Sequence, residues 1–138
     1  SWTSCMPSQP FDVSPALADF LTERHLASLT TLRADGSPHV VPVGFSFDAA
    51  SNEVRIITFD GSQKVANARR GGRAAVSQVD GGRWVTLEGT VRATSDSTEV
   101  AAAVAGYAAR YQQPKERDNR VAIIITVDRI LCGKMLKG

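Results

Sequence analysis

The sequence has few cysteines, few aromatic residues and no long apolar run. Its two cysteines, Cys5 and Cys132, lie near opposite ends of the 138 residues without a Cys-x-x-Cys or Cys/His spacing. This spacing excludes a disulfide framework and a zinc site, predicts no metal, and favours a reducing, cytoplasmic location. No apolar run approaches the roughly 20 residues that span a bilayer, and no signal peptide is evident, so a membrane partner is not expected.

A large charge of one sign is also lacking. The sequence has 16 Lys and Arg against 14 Asp and Glu, a formal charge of +2. So small an excess does not indicate a protein that binds nucleic acid through its overall field. The charges are nevertheless uneven, because the segment from Arg55 to Arg83 contains six basic and two acidic residues. This basic segment predicts a discrete site for a small polyanion.

The composition is that of a folded domain, with 43% hydrophobic and 22% charged residues. The length predicts one domain, which we expect to span residues 11–138. Residues 1–10 lack periodicity, and we interpret them as a mobile arm or a remnant of the expression vector.

Periodicity and turn residues predict three helices and six strands. Ser14 and Pro15 are typical of a helix start, and Asp96 or Ser97 is expected to cap the third helix. Strands are predicted at 26–33, 39–47, 53–59, 74–79, 83–94 and 121–127, and helices at 15–24, 62–70 and 97–111. The last strand is almost entirely apolar and is expected to be buried on both faces, and residues 112–119 are expected to form a charged loop. The spacing of the third helix predicts one buried stripe, formed by Val100, Val104, Tyr107, Ala108 and Tyr111.

Six strands joined by short hairpins favour a mainly β, α+β fold. The expected architecture is a six-stranded antiparallel barrel, closed or nearly closed, with short flanking helices. Because side chains fill the interior of so small a barrel, a sizeable ligand would bind outside it or at a subunit junction. The fold therefore predicts an oligomer.

The second predicted strand has one packed face and one open face. Bulky apolar residues occupy one parity and smaller residues the other, Val41, Val43, Phe45 and Phe47 against Val40, Pro42, Gly44 and Ser46. Pro42 cannot donate to a neighbouring strand, and Gly44 has no side chain. We therefore expect this strand to be interrupted, or to be approached closely by a flat group.

The segment Thr58–Lys64 joins a strand to a helix that starts near Gly61 and Ser62. Unpaired N–H groups and partial positive charge at a helix start, together with a hydroxyl and an ammonium, make an anion site, and phosphate is the natural guest. The ordinary alternative is that Ser62 only caps the helix and that Lys64 is a solvated surface residue. The residue types favour the alternative, but the surrounding basic segment favours the anion site.

Other polar and aromatic residues have two interpretations each. Trp84 is either a core aromatic or a wall for a planar ligand or a partner subunit. Ser77 and Gln78 either contact such a ligand or face solvent at a sheet edge. His25 and His39 have no nucleophile motif or carboxylate beside them in sequence, so neither is expected to be a general base. Hydrolase and kinase motifs are absent.

Three segments together resemble one family. Leu29–Val43, Ser62–Asn67 and Trp84–Gly89 are similar to the pyridoxamine 5'-phosphate oxidase-like split β-barrel superfamily, over about residues 14–132. Within it, Ser77–Gly81 and Trp84 resemble the actinobacterial flavin/deazaflavin oxidoreductases of the type B group, including the deazaflavin-dependent biliverdin reductases. The resemblance implies an FMN-binding split-barrel fold and a homodimer with two cofactor sites at its interface, each built from both chains.

The resemblance also implies which residues contact the cofactor. The ring system would lie against the second and third strands, the phosphate and tail would lie at the helix start, and the partner chain would contribute three residues. The ring residues are His39, Val40, Val41, Pro42, Arg55, Ile56, Ile57 and Thr58, the tail residues are Ser62, Gln63, Lys64 and Asn67, and the partner residues are Ser77, Gln78 and Trp84.

The expected cofactor is the deazaflavin coenzyme F420, with flavin mononucleotide (FMN) as the alternative. FMN oxidases of the superfamily usually have an Arg and a Lys on the strand occupied here by Val40–Gly44, and this chain has neither. The longer, polyanionic glutamate tail of F420 also suits the basic segment. No catalytic residue is assigned, since a cofactor that transfers hydride needs no protein nucleophile.

The resemblance thus implies an oxidoreductase that transfers a hydride from reduced F420 to a conjugated small molecule. The expected acceptors are biliverdin, a related tetrapyrrole or a quinone. Two alternatives stay open: an FMN-dependent oxidase or reductase of the pyridoxamine phosphate oxidase type, and a non-catalytic carrier of flavin, deazaflavin or haem. A carrier would bind its ligand without acceptor-dependent oxidation of the reduced form.

Overall fold

Seven strands form one sheet in the computed structural model, which describes residues 11–138. The predictions for residues 1–10 lie outside the described residues. Among the described helices, none has the length and apolar character needed to cross a membrane. The elements are α1 (Pro15–Thr22), β1 (Ala27–Leu32), β2 (Pro38–Val43), β3 (Ser46–Asp48), β4 (Glu53–Phe59), α2 (Gln63–Arg70), β5 (Arg73–Asp80), β6 (Arg83–Thr94), α3 (Ser97–Arg110), β7 (Arg120–Cys132) and a C-terminal 3-10 helix (Lys134–Leu136).

The strands follow the order β2-β1-β5-β6-β7-β4-β3, and every neighbouring pair is antiparallel. β2 and β3 are at opposite ends of this order although they follow each other in sequence. The sheet therefore curls until its two ends approach, and it forms a barrel that is open at one seam. We call this seam, between β2 and the β3–β4 pair, the split. The predicted split β-barrel with short flanking helices is confirmed.

Alternating side chains fill the barrel. Val54 and Ile56 of β4 point inward and are at most 1% exposed, and Leu87 of β6 is fully buried. Residues 121–125 of β7 are buried on both faces, because α3 packs Ala103 against their outer side. The prediction of a strand covered on both faces is confirmed.

The predicted second strand, residues 39–47, is two strands, so the sheet has seven strands rather than six. The interruption falls at Gly44, where a Cβ atom would lie 3.1 Å from ring carbons of both Tyr107 and Tyr111. The expected interruption is confirmed. The flat groups that approach Gly44 are two tyrosine rings of the same chain, and the contact of this strand with a flat ligand stays a prediction.

Hydrogen bonds from the end of α3 hold the chain at this break. The Tyr111 hydroxyl accepts from the Phe45 N–H at 3.2 Å and donates to the His25 carbonyl at 2.6 Å. Arg110 donates to the carbonyl oxygens of Phe45 and Glu23 at 2.8 and 2.9 Å. Burial raises the pKa of Tyr111, which keeps this phenol protonated. The break between β2 and β3 is thus tied to the segment that follows α1.

The helix starts follow the predicted caps. The side chains of Ser14 and Asp96 accept hydrogen bonds from the N–H groups of Leu17 and Glu99. The predicted buried stripe of α3 differs in detail, since Ala103 and Arg110 are its buried residues. The residues predicted for the stripe are only partly buried: Val100, Val104, Tyr107, Ala108 and Tyr111.

The last strand is longer than predicted. Sequence periodicity predicts that this strand ends at residue 127, but β7 continues to Cys132. It does so because β6 begins early enough for Val85 to pair with Cys132. The pairing contains a bulge at Glu88 and Gly89. A side chain at Gly89 would collide with the backbone of Thr126, so the bulge requires glycine.

Candidate functional site

A cavity of about 330 Å³ lies at the split. Its walls come from β2, β4, α2, α3 and the loop that precedes β7. Four predicted site residues line it: Pro42, Ile57, Thr58 and Lys64. The remaining lining residues are Val43, Gly44, Phe59, Tyr107, Pro114, Arg117 and Arg120. The structure therefore brings together the second predicted strand, the third predicted strand and the helix start.

Two strand edges face each other at the split without a strand between them. β3 pairs only with Glu53–Arg55, so in the described chain no strand pairs with the same edge of Ile56–Phe59. β2 is likewise the end strand of the sheet and pairs only with β1. Unpaired backbone N–H and C=O groups on such edges are strong hydrogen-bonding groups. A flat, polar ring between these edges would find both donors and acceptors.

The N-terminus of α2 lies beside this cavity. Ser62 is at the N-cap position, but its hydroxyl donates to the Phe59 carbonyl at 3.4 Å and caps no helix N–H group. The first N–H groups of α2 and the helix dipole therefore favour an anion. Asp60, just before the helix, is held by Arg69 at 2.7 Å, which lowers the pKa of its carboxyl.

Asn67 of α2 points to the sheet, and the exposed Gln63 is bonded to it. The buried Asn67 amide donates to the Thr31 hydroxyl at 3.0 Å, and its oxygen accepts from the Gln63 amide at 2.8 Å. His39 is opposite Thr31 in the strand register, so both side chains lie on the same face. The Nδ1 atom of His39 is buried without a hydrogen-bond partner. The Asn67–Thr31 bond fastens α2 to the barrel, and the contact of His39, Gln63 and Asn67 with a cofactor stays a prediction.

Three other predicted residues have partners inside the chain. Ile56 is part of the barrel core. Arg55 donates to Asp48 and Glu53, at 3.1 and 2.9 Å. Gln78 is 1% exposed, and its amide donates to the Phe20 carbonyl while its oxygen accepts from Arg110. None of these three side chains lines the cavity.

The outer face of the sheet carries the predicted residues Val40, Ser77 and Trp84. Neighbouring strand residues point to opposite faces, so Ser77 lies on this outer face although Gln78 is buried inside. The Ser77 hydroxyl is hydrogen-bonded to Thr86 at 2.9 Å. Val41 instead packs against the core. The large apolar side chains exposed on the outer face are Leu26, Leu32, Val40, Val79, Trp84 and Leu131.

Ion pairs neutralise most of the predicted basic segment. Four of its six basic residues are paired: Arg55 with Asp48 and Glu53, Arg69 with Asp60, Arg73 with Asp128, and Arg83 with Glu23 and Asp80. Lys64 forms no ion pair with any residue between 11 and 138. The basic segment correctly pointed to α2 as the helix beside the cavity. Most of its arginines, however, are neutralised by carboxylates and contribute no free charge to the cavity.

Sequence analysis missed four lining residues from the end of α3 onward. Tyr107 was interpreted only as part of a buried stripe, and Pro114, Arg117 and Arg120 lie in or beside a segment predicted as a charged loop. Lys115 and Arg117 of this loop are balanced by Glu116 and Asp118, so its charge gave no signal of a site. Its position against β4 depends on the Asp60 N–H, which donates to the Asn119 carbonyl at 2.8 Å.

Glu23, His25 and Asp80 are the one group of possible metal ligands in the described chain, with ligand atoms within 4.8 Å of one another. Arg83 already donates to both carboxylates, at 2.9 and 2.8 Å. Hydrogen bonds from Arg83 and then from His25 lower the pKa of Glu23 to about 2. The group is therefore a neutralised ion-pair cluster, and His25 does have a carboxylate beside it, contrary to the prediction.

The fold and the cavity define a split β-barrel protein with a cavity at the split. The chain belongs to the pyridoxamine 5'-phosphate oxidase family, whose sequence model matches residues 13–131. It is 54% identical over 112 residues to a protein of Mycobacterium tuberculosis (strain CDC 1551 / Oshkosh) named F420H(2)-dependent biliverdin reductase. That match covers 81% of this chain and 82% of the relative.

Solved structures share the fold. A conserved hypothetical protein from Mycobacterium tuberculosis has a TM-score of 0.74 at 21% identity, over 94% of this chain and 89% of that chain. A structure named F420 reductase has a TM-score of 0.67 at 24% identity, over 82% of this chain and 94% of that chain. At these sequence identities the comparison shows a shared fold and no more.

Proposed function

We propose that the protein is an oxidoreductase that transfers a hydride from reduced coenzyme F420 to a conjugated acceptor. The observation that carries the proposal is the cavity at the split, where two unpaired strand edges meet a helix N-terminus and the unpaired cation of Lys64. The relative of 54% identity, named for F420H2-dependent reduction, supports the choice of cofactor. The lack of Arg and Lys within Val40–Gly44 supports F420 over FMN.

The residues around the cavity suit a flat ring with a phosphate and an acidic tail. The ring would lie between Pro42–Gly44 and Ile57–Phe59, against the open strand edges. The first N–H groups of α2 and the Ser62 hydroxyl would hold the phosphate, and Lys64 would neutralise it. A cavity of about 330 Å³ is at the small end for ligand sites, so the tail would extend along the surface.

F420, when bound, supplies the hydride from carbon 5 of its central ring. The chain would contribute binding and orientation, because a ring and an acceptor held face to face react without a bimolecular encounter. Among the described residues, no carboxylate or imidazole lines the cavity. The proton that completes reduction of the acceptor would therefore come from solvent.

The active form would be a homodimer joined through the outer face of the sheet. This face exposes several large apolar side chains, among them Val79 at 69% and Val40 at 57%. Contiguous apolar surface of this kind favours association. Ser77 and Trp84 lie on the same face, which supports their predicted contribution to the partner's site, whereas the buried position of Gln78 does not support the same role for it.

Biliverdin is the acceptor we propose first, since the relative is named for its reduction. A linear tetrapyrrole is flat, conjugated and carboxylated. Its flat conjugated system would stack on the cofactor ring, and its carboxylates would meet the cations of the cavity. We also propose that the protein acts in the cytoplasm.

The proposal is tested by titrating the purified protein with F420 and with FMN, and then following the oxidation of reduced F420 with biliverdin or a quinone present. We expect saturable F420 binding and oxidation that depends on the acceptor. Tight FMN binding without F420 binding would contradict the proposal and favour the FMN enzyme. F420 binding without oxidation by any acceptor would favour the carrier.

A further inference from the structure

The loop between α3 and β7 brings cations to the cavity that the proposed hydride transfer does not explain. Arg117 lies in this loop and Arg120 starts β7, and both line the cavity together with Lys64 of α2. More than 50 residues separate Lys64 from either arginine in sequence. Their convergence on one cavity is therefore a property of the fold.

Arg117 and Lys64 contact the same aromatic ring. The Arg117 guanidinium is 4.5 Å from the centre of the Phe59 ring, and the Lys64 ammonium is 5.7 Å from it. The ring attracts each cation separately, but two positive charges held at one ring repel each other. An anion bound beside them would relieve this repulsion.

No described carboxylate of the protein provides that anion. Glu116 and Asp118 flank Arg117 in sequence, yet within residues 11–138 no ion pair joins any acid to Lys64, Arg117 or Arg120. Five of the ten other arginines within residues 11–138 are ion-paired, as Arg73 is with Asp128 at 2.6 Å.

Arg120 also keeps donors for a ligand. Its Nη2 atom donates to the Lys115 carbonyl at 2.7 Å, which holds the loop closed on itself. A guanidinium has five N–H donors, and within residues 11–138 no other hydrogen bond or ion pair of Arg120 uses the remaining ones.

We propose that Arg117 and Arg120 form a carboxylate-binding subsite of the cavity. Guanidinium groups suit this role because they bind carboxylates through paired, charge-assisted N–H donors. The proposal rests on the proposed function and deepens it by naming the ligand chemistry. The carboxylate belongs to the glutamate tail of F420 or to an acid side chain of the acceptor, such as a tetrapyrrole propionate.

The test compares ligands that differ only in their acid groups. Equilibrium binding is measured for F420, for its chromophore without phosphate and glutamates, for biliverdin and for biliverdin dimethyl ester. The variants are Arg117→Gln, Arg120→Gln and the charge-retaining Arg117→Lys. Arg24→Gln is the control, because Arg24 is exposed and lines no part of this cavity. Thermal unfolding checks that each variant is folded.

We expect Arg117→Gln and Arg120→Gln to weaken binding of the acidic ligand about tenfold, which is the scale of one charge-assisted hydrogen bond. Arg117→Lys should retain part of the affinity, and Arg24→Gln all of it. A loss for F420 but not for its bare chromophore assigns the subsite to the cofactor tail. A loss for biliverdin but not for its ester assigns the subsite to the acceptor.

Equal effects on acidic and neutral ligands, or no effect on either, would overturn the subsite. If the unmodified protein binds F420 but the glutamine variants are indistinguishable from it, only the subsite is wrong. If the unmodified protein binds neither F420 nor biliverdin, the proposed function and the subsite are both wrong.

Discussion

Lys64 differs from Arg69 of the same helix because no carboxylate of the described chain neutralises it. Arg69, one and a half turns further along α2, is paired with Asp60 at 2.7 Å. An arginine in such a pair has little charge left for a ligand. Lys64 keeps its charge beside the start of a helix, where an anion is already favoured. It is therefore the residue on which the proposed phosphate contact depends.

We predict that Lys64→Ala weakens F420 binding about tenfold or more, because it removes a charge-assisted contact. Fluorescence titration at two salt concentrations measures the loss and its ionic component. Lys137→Ala is the matched control, since Lys137 is exposed and does not line the cavity. Unchanged affinity would mean that Lys64 is an ordinary surface lysine.

Gly44 shapes the cavity through the side chain that it lacks. The rings of Tyr107 and Tyr111 occupy the space that a Cβ would need, with ring carbons 3.1 Å away. Tyr111 cannot move without losing its hydrogen bonds to Phe45 and His25. The contact therefore couples α3 to the interruption of the second predicted strand.

Gly44→Ala should lower the stability of the protein by about 1–3 kcal/mol, the usual cost of overpacking. Thermal unfolding measures the change in Tm. Gly82→Ala is the control, because its Cβ would meet only the sulfur at the flexible end of Met135, at 3.0 Å. Equal and small effects of the two substitutions would show that the tyrosine rings yield easily.

Single elements of this barrel are fastened by bonds between residues far apart in sequence. The end of α1 is joined to the β5–β6 turn by Arg83, which pairs with both Glu23 and Asp80. α2 is joined to β1 by the buried bond between Asn67 and Thr31. Sequence periodicity predicted these helices, but it could not predict their attachment, because the partners are 36 and 60 residues apart.

The Glu23–Arg83 pair should make stability depend on acid. Arg83 and His25 lower the pKa of Glu23 from 4.5 to about 2 in the folded protein. As the pH falls, the Glu23 carboxylate is therefore protonated in the unfolded chain before it is protonated in the folded one. The stabilisation is complete above pH 4.5 and is lost as the pH falls toward 2. Urea unfolding between pH 6 and pH 2 measures this loss.

Glu23→Gln should flatten this acid dependence and lower stability at neutral pH. Glu116→Gln is the control, since Glu116 is exposed in the loop before β7 and forms no ion pair with the described chain. If Glu23→Gln and the unmodified protein lose stability in parallel between pH 4.5 and 2, the pair does not determine the acid response.

At the scale of the whole molecule, the outer face of the sheet is the surface that the monomer leaves uncovered. The opposite face fills the barrel, and α3 covers the outer side of β4 and β7. Leu26, Leu32, Val79 and Trp84 remain between 38% and 69% exposed. A partner subunit would remove this apolar area from water, which is the main driving force of association.

We predict that Val79→Glu converts the proposed dimer to a monomer and weakens F420 binding, because a charge placed in an apolar interface is not neutralised there. Analytical ultracentrifugation gives the oligomeric state. Ala102→Glu, at an exposed position of α3, should leave both properties unchanged. A dimer that persists in Val79→Glu would contradict the proposed interface.

The sequence by itself determined the local structure of this protein. Alternation, turn residues and helix caps were sufficient for most strands and for the starts of the helices, because these signals act between near neighbours along the chain. The resemblance to a family added the barrel. The proposed anion site at Ser62 and Lys64 was also visible in the sequence, because a strand end, a helix start and a lysine follow each other directly.

Only the tertiary structure decided which charges are free and where the cavity lies. Arg73 is neutralised by Asp128, 55 residues away, whereas Arg117 and Arg120 reach the cavity without such a partner. The split itself exists because the two ends of a curled sheet approach without pairing. These outcomes depend on distances between segments remote in sequence, and a pattern of near neighbours contains no information about them.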